Sequence, residues 1–169
     1  MTIPPTDEVD RLVAEWVRER PDLDITPMEV LSRVTRLARH LDLARREAFG
    51  AHQLETWEFD VLTALRRSGS PYQLSPKRLL RETMVTSGTM TNRVDRLAAK
   101  GLVVRMPDPD DKRGVLVSLT SDGQRRVDAA LEGLLAQERR LLDSLTTSQC
   151  ESLAAMLRMV VAPFDDDPP

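Results

Sequence analysis

The residues in this chain best suited to chemistry are polar side chains of the length that reaches another molecule. In TSGTMTNRVDR, Thr86 to Arg96, the segment sets Ser87, Thr89, Thr91, Asn92 and Arg96 among few apolar residues. Hydroxyls, an amide and a guanidinium at these spacings can meet base edges or phosphates, and arginine suits a two-pronged contact with guanine. Further on, DPDDKRGVLVSLT, Asp108 to Thr120, crowds three carboxylates and two cations ahead of an apolar/polar alternation. Arg113 at such a tip could enter a minor groove, where narrow A/T-rich stretches concentrate negative potential. Lys112 beside it would meet phosphate. Asp111 could pair with Arg113 or with Arg105 and hold the tip in shape, so that the acids form the scaffold and the cations make contact. Each feature alone has a plainer reading. Ser and Thr near a helix start are ordinary caps, and exposed ion pairs in a solvated turn are worth only ~0–1 kcal/mol.

Catalysis has little to work with. The chain carries two histidines and one cysteine, and no nucleophile–base pair or Cys/His metal cluster can be assembled from them with defensible spacing. No glycine-rich loop is placed to cradle phosphate. The expectation is a protein that is not an enzyme, with no metal and no cofactor. Cys150 begins a helix, where a thiolate would be favoured, but a small buried residue is the preferred reading.

The elements that must hold the polar reachers in place follow from periodicity and capping. DEVDRLVAEWVRERPD reads as a first helix, with Val9, Leu12, Val13, Trp16 and Val17 on one face and Pro21 as its stop. Thr26-Pro27-Met28-Glu29 offers a hydroxyl N-cap, a first-turn proline and a capping-box acid, opening a helix to about Phe49. Thr56 is the expected cap of the next, with Phe59, Val61, Leu62 and Leu65 inward and Gly69-Ser70-Pro71 ending it. Ser75-Pro76 opens a short helix. Thr86 or Ser87 opens another, closed by Gly101. LVVRM and GVLVSL, short and β-branched, predict a hairpin around the charged knob. Helix resumes at Thr120 with a stripe through Val127, Leu131, Leu134, Leu135, Leu141 and Leu142. Ser148-Gln149-Cys150-Glu151 is read as the capping box of a last helix, and the tail PFDDDPP is expected to fray.

Net charge is −3 over 169 residues, which argues against indiscriminate nucleic-acid binding, but its distribution is uneven. Between Ser75 and Arg113 nine Lys/Arg face five acids, so a cationic middle lies between acidic ends. The cations include Lys77 beside Ser75 at the start of the short helix. No apolar run approaches the ~20 residues that span a bilayer, and MTIPPTDEVD lacks the basic leader and apolar core of a signal peptide. A cytoplasmic protein without membrane contact is expected. Short helix, turn, polar helix and two-stranded hairpin is the winged helix–turn–helix order, whose second helix enters the major groove. The principal alternative from another class is a helical dimeric adaptor that binds only protein; it would need neither the cationic middle nor an arginine at the hairpin tip.

From about Thr26 to Val161 the chain resembles the multiple-antibiotic-resistance regulator (MarR) family. The resemblance is carried by SPKRLLRETMVTSGTMTNRVDRLAAKGLVVRMPDPDDKRGVLVSLTSDG, with Leu97, Gly101-Leu102-Val103, Arg105, the Asp111-x-Arg113 tip and Leu119-Thr120-x-x-Gly123 in the family's order. It implies a mainly α fold with a small β-hairpin wing, forming an intertwined homodimer on double-stranded DNA. Residues 1–169 would then be one domain, with dimerisation helices at 1–50 and 121–162, a DNA-binding lobe at 54–120 and a flexible tail at 163–169. Family resemblance also implies a pseudo-palindromic operator and usually repression.

The extra N-terminal helix is similar to that of the urate-responsive branch of the family. That branch's pattern implies a ligand-binding set of Trp16 in the added helix, Asp60 in WEFDVL, Arg93 in TNRVD and Arg105 in VVRM. The chemistry is consistent: a planar guanidinium suits an anion, and an indole offers a ring face and an N–H to a flat ligand. Asp60 paired with Arg93 would tie the helical body to the DNA-reading helix, so an anion competing for the cation would move that helix. A citrate-like or phenolic acid would satisfy the same guanidinium. A plainer reading makes Trp16 core or dimer interface and Arg93 a phosphate contact.

Overall fold

Turn and cap chemistry sets the element boundaries in the computed structural model, which describes residues 6–83, 85–111 and 114–164. The order is α1 (Glu8–Glu19), α2 (Thr26–Gly50), α3 (Thr56–Arg67), β1 (Gln73–Leu74), α4 (Pro76–Thr83), α5 (Ser87–Ala99), β2 (Val103–Pro107), β3 (Val115–Leu119), α6 (Ser121–Leu142) and α7 (Thr147–Val161), closed by a 3-10 turn at Ala162–Phe164. They form two compact units, one up to Arg46 and one from Glu47 onward, so the division falls inside α2.

In the first unit, α1 begins with a capping box in which the Asp7 carboxylate accepts from the Val9 and Asp10 amides at 2.8 and 3.0 Å. Arg33 on α2 reaches Asp7 at 3.0 Å and Asp10 at 2.6 Å, and Arg36 pairs with Glu8. The ordering of α1 against α2 is thus ionic at its start and apolar at Val9, which is buried.

The second unit is built around α3. Its inward face, Phe59, Val61, Leu62 and Leu65, is fully or almost fully buried, and the Phe59 ring stacks on Phe49 at a centroid distance of 3.9 Å. Burying such side chains contributes roughly 1.5–3 kcal/mol each. α4, α5, α6, the sheet and the turn after α5 add Leu79, Met90, Leu97, Leu102, Val117 and Val127 to the same core. The sheet is antiparallel in the order β1-β3-β2, with Val103 opposite Leu119 and Pro107 opposite Val115. The hairpin is where the sequence places it. The third strand, β1, pairs Gln73 with Ser118 and was not expected, since two residues carry no alternation to read.

Three helix starts differ from expectation, each because an acceptor lies slightly upstream. Thr26 is the first helical residue rather than the cap: the Asp24 carboxylate accepts its amide at 3.0 Å. Glu55, not Thr56, caps α3, and Glu58 reaches back to the Glu55 amide at 3.0 Å. At α7 the capping box is Thr146 with Gln149, whose side chains accept the opposite amides at 3.3 and 2.8 Å, so the helix opens two residues before the Ser148 box. Cys150 is half-buried rather than buried. The α6 stripe splits: Val127 and Leu134 are buried, whereas Leu131, Leu135, Leu141 and Leu142 are exposed. Of the tail, residues 165–169 lie outside the described residues.

Candidate nucleic-acid interface

The apolar spacing in TSGTMTNRVDRLAAKG decides which side of α5 is free. Met90, Val94 and Leu97 recur at helical spacing and are buried, which fastens one face to the core. Ser87, Gly88, Thr89, Thr91, Asn92, Asp95 and Arg96 are therefore left on the exposed side. Thr86 stands at the N-cap, and its hydroxyl shares a hydrogen bond with that of Thr89 at 2.9 Å. The Thr91 hydroxyl donates to the Ser87 carbonyl at 3.2 Å and keeps its lone pairs for a donor. The helix ends in a Schellman motif. Leu102 N–H donates to Leu97 O, Gly101 N–H donates to Ala98 O, and Gly101 adopts φ +71°, a conformation glycine adopts without a steric penalty. Ahead of it, Ser75 caps α4, accepting the Arg78 amide at 3.4 Å, and Lys77 is exposed in its first turn.

The wing is tied to α5 at its base. Arg105 on β2 donates to the Asp95 carboxylate at 2.5 Å, so the carboxylate that holds Arg105 in place is on the helix. At the tip, Asp108 N–H donates to Gly114 O at 3.0 Å and Gly114 N–H to Asp111 O at 2.8 Å, closing the turn. A Cβ at Gly114 would stand 2.8 Å from that of Asp108 and 3.1 Å from that of Asp111. Asp111 thus meets the turn through its carbonyl and its Cβ. Lys112 and Arg113, the expected contacts, lie outside the described residues.

Two arginines of α5 meet groups that sequence reasoning did not single out. Arg96, expected to reach DNA, donates to the Glu55 carboxylate at 2.9 Å and lies 4.7 Å from the Trp57 ring centroid. Arg93 lies 5.5 Å from the same ring. Trp57 Nε1 donates to the other oxygen of Glu55 at 2.7 Å, which orients both groups. These distances suit cation–π attraction. Trp57, Gly88, Thr89, Asn92, Arg93 and Arg96 border an open cleft of about 450 Å³. The missed signal was an acid–aromatic–acid run, Glu55, Trp57 and Glu58, at the start of the helix that precedes a basic one. Of the expected ligand set, Asp60 is half-buried on α3, and Arg93 and Arg105 are on α5 and β2. Trp16 is on α1 of the first unit and 46% exposed. Among the described residues no group of three or more His, Cys, Asp or Glu could hold a metal ion, and no helix is long and apolar enough to cross a membrane.

A helix pair whose second member offers a polar face, followed by an antiparallel hairpin tied to it, defines a winged helix–turn–helix DNA-binding protein. Comparison with known proteins agrees. The MarR family model matches residues 52–114. The HTH-type transcriptional regulator PecS of Dickeya dadantii is 36% identical over 153 residues, covering 90% of this chain and 92% of PecS. A mutant of Escherichia coli MarR complexed with operator DNA superposes with a TM-score of 0.66 at 27% identity, over 82% of this chain and 99% of that one. Bordetella bronchiseptica BpsR, whose DNA binding is regulated by 6-hydroxynicotinic acid, gives 0.62 at 26% identity, over 78% and 91%. The chain belongs to the MarR family of DNA-binding transcriptional regulators, which are not enzymes.

Proposed function

We propose that this regulator binds a pseudo-palindromic operator as a homodimer, represses from it, and is released by a small anionic ligand such as urate. The observation that carries the DNA reading is the division of α5 into a buried Met90/Val94/Leu97 face and an exposed face of Ser87, Thr89, Thr91 and Asn92. Thr86, Ser75 and Lys77 would contact the backbone, with Lys112 and Arg113 reaching from the wing and Asp111 shaping it. Residues 54–120 would be the DNA-binding lobe of a single 1–169 domain. The dimer reading is supported by α7, none of whose residues is buried, where Met156, Met159 and Val160 expose more than half of their surface. Apolar faces of that size are normally covered by a partner. Residues 1–50 and 121–162 are the proposed dimerisation helices.

Trp16, Asp60, Arg93 and Arg105 are the proposed ligand set. The tie between Arg105 and Asp95 supplies a mechanism. An anion that takes the Arg105 guanidinium competes with Asp95, loosens the wing from α5, and lowers DNA affinity; DNA must weaken the ligand by the same factor. The regulation of BpsR by 6-hydroxynicotinic acid supports a planar anionic effector as the class. A citrate-like or phenolic acid is the second reading, and the adaptor the one from another class. A cytoplasmic location fits a repressor.

The test is fluorescence anisotropy on duplex DNA from the gene's own upstream region, titrated with salt, urate and citrate. Binding should fall by about one unit of log–log slope per phosphate contact and be released by urate in the wild type but not in Arg105→Ala. Release by citrate alone would change the ligand. Release in Arg105→Ala equal to wild type would remove Arg105 from the site, and salt-insensitive association with no DNA binding would favour the adaptor.

A further inference from the structure

The start of α3 and the C-terminal half of α5 are joined by an ion-pair ladder. Glu55 at the cap and Glu58 three residues on face Arg96 and Lys100, four residues apart on α5, so each pair shares one side of its helix. The first rung, Arg96 to Glu55 at 2.9 Å, is about half exposed on both sides. In the second, Lys100 Nζ stands 2.6 Å from Glu58 Oε1, with Glu58 fully buried and Lys100 42% exposed. That ion pair is the one polar partner of this oxygen among the described residues, while the other oxygen accepts the Glu55 amide at 3.0 Å. Trp57 continues the row under Arg96 and Arg93.

A buried carboxylate is costly unless compensated. Glu58 is compensated three ways: by Lys100, by the Glu55 amide, and by the positive end of α3, in whose first turn it lies. Its partner is the C-cap residue of α5, where a cation is favoured for the opposite reason. The apolar stripe sets which face of α5 is buried but leaves play in its rotation about the axis, because apolar burial is non-directional. A row of charges at 93, 96 and 100, flanking the buried stripe at 90, 94 and 97, does fix it. We infer that Glu58 and Lys100 are positioning residues for DNA reading: the ion pair of the buried Glu58 carboxylate with Lys100, continued by Glu55–Arg96, sets the rotation of α5 and hence which bases Thr89, Thr91 and Asn92 reach.

The experiment separates positioning from stability. A duplex is selected from random sequence with the wild-type protein, and affinity for it is divided by affinity for a scrambled duplex. Lys100→Gln leaves the Glu58 charge buried and unpaired and should lower thermal stability; adding Glu58→Gln removes that charge and should restore the melting temperature. Selectivity of the double variant should nevertheless stay about tenfold below wild type, the cost of one mismatched base pair, and amides of α5 should exchange faster than those of α3 and α6. Glu55→Gln should cost less on both counts, since its rung is exposed. A double variant whose selectivity returns to within about twofold of wild type along with its melting temperature, or whose α5 amides exchange as slowly as wild type, would overturn the assignment and leave the ladder purely structural.

Discussion

Adding one methyl group at Gly123 sets two effects of known size against each other. Gly123 is the third residue of α6, and exchanging a helical glycine for alanine is worth about 1 kcal/mol in propensity. Here, however, the new Cβ would lie 2.1 Å from the Leu102 carbonyl oxygen and 3.0 Å from its carbon. That oxygen cannot yield cheaply. Leu102 N–H is committed to Leu97 O at 3.0 Å, and Leu102 O accepts from Thr120 N–H at 3.1 Å and shares the Thr120 hydroxyl, at 3.1 Å, with Gly101 O at 2.8 Å. Overpacking typically costs 1–3 kcal/mol, more where backbone must shift, and opening the Thr120 cap on the Gly123 amide adds about 1 kcal/mol. The clash wins, with a net loss of about 1–3 kcal/mol. Urea unfolding followed by circular dichroism at one fixed protein concentration should show the midpoint falling by about 1 M at unchanged slope, for a slope of 1–3 kcal/mol/M. Gly88→Ala is the control with opposite sign: no atom lies within 4 Å of its added Cβ, so stability should rise by up to about 1 kcal/mol while close backbone approach to DNA is hindered. A Gly123→Ala midpoint at or above wild type would refute the claim that Leu102 is immovable.

Two further outcomes can be checked. The Asp7 carboxyl is held below its ordinary 3.8 by the Asp10 amide and then by Arg33, and Glu8 below its ordinary 4.5 by Arg36. Because the folded values lie below the unfolded ones, the stabilisation of α1 is complete above about pH 4.5 and is lost as pH falls below 3.8 through the lowered values; α1 amide protection, taken relative to the intrinsic exchange rate at each pH, that is unchanged by acid would contradict this. Leu97→Ala empties a fully buried site under α5 and should cost about 2–5 kcal/mol in urea unfolding, a loss below 1 kcal/mol meaning that the helix closes the cavity freely.

The parts of the fold legible in the sequence are those written locally. Thr120, Ser75-Pro76 and Gly101 mark helix ends through bonds that reach only three to five residues, and the 3.6-residue stripe through Phe59–Leu65 is buried where periodicity puts it. Caps moved by one or two residues because several neighbouring side chains could each open the helix, as Thr146 and Ser148 could, and sequence does not rank them. β1 is invisible because its two residues become a strand only by pairing with Ser118 and Val117, more than forty positions away. The same distance hid the partners of Arg96. Glu55 lies 41 residues from it in sequence, so a guanidinium that spacing offered to DNA is met in the fold by a carboxylate and an indole. Trp16 was singled out as the aromatic partner of a bound anion, whereas Trp57, unremarked in the sequence, is the ring that α5's arginines face.

These contacts make α5 a helix with ionic ties on both flanks: Asp95 to the wing through Arg105, and Arg96 with Lys100 to the start of α3. The ties differ in what can break them. Asp95–Arg105 and Glu55–Arg96 are about half exposed, so salt and competing anions reach them. Glu58 is fully buried, and a charge out of contact with water is screened far less. Raised ionic strength should therefore loosen the wing before it disturbs the seat of α5. It follows that the salt dependence of DNA affinity combines released counterions with a loosened wing tie in the wild type. In an Asp95→Asn variant, whose wing tie no longer depends on a carboxylate, the slope should fall toward the count of phosphate contacts alone. An Asp95→Asn slope equal to or steeper than wild type would mean that the wing tie contributes nothing to binding.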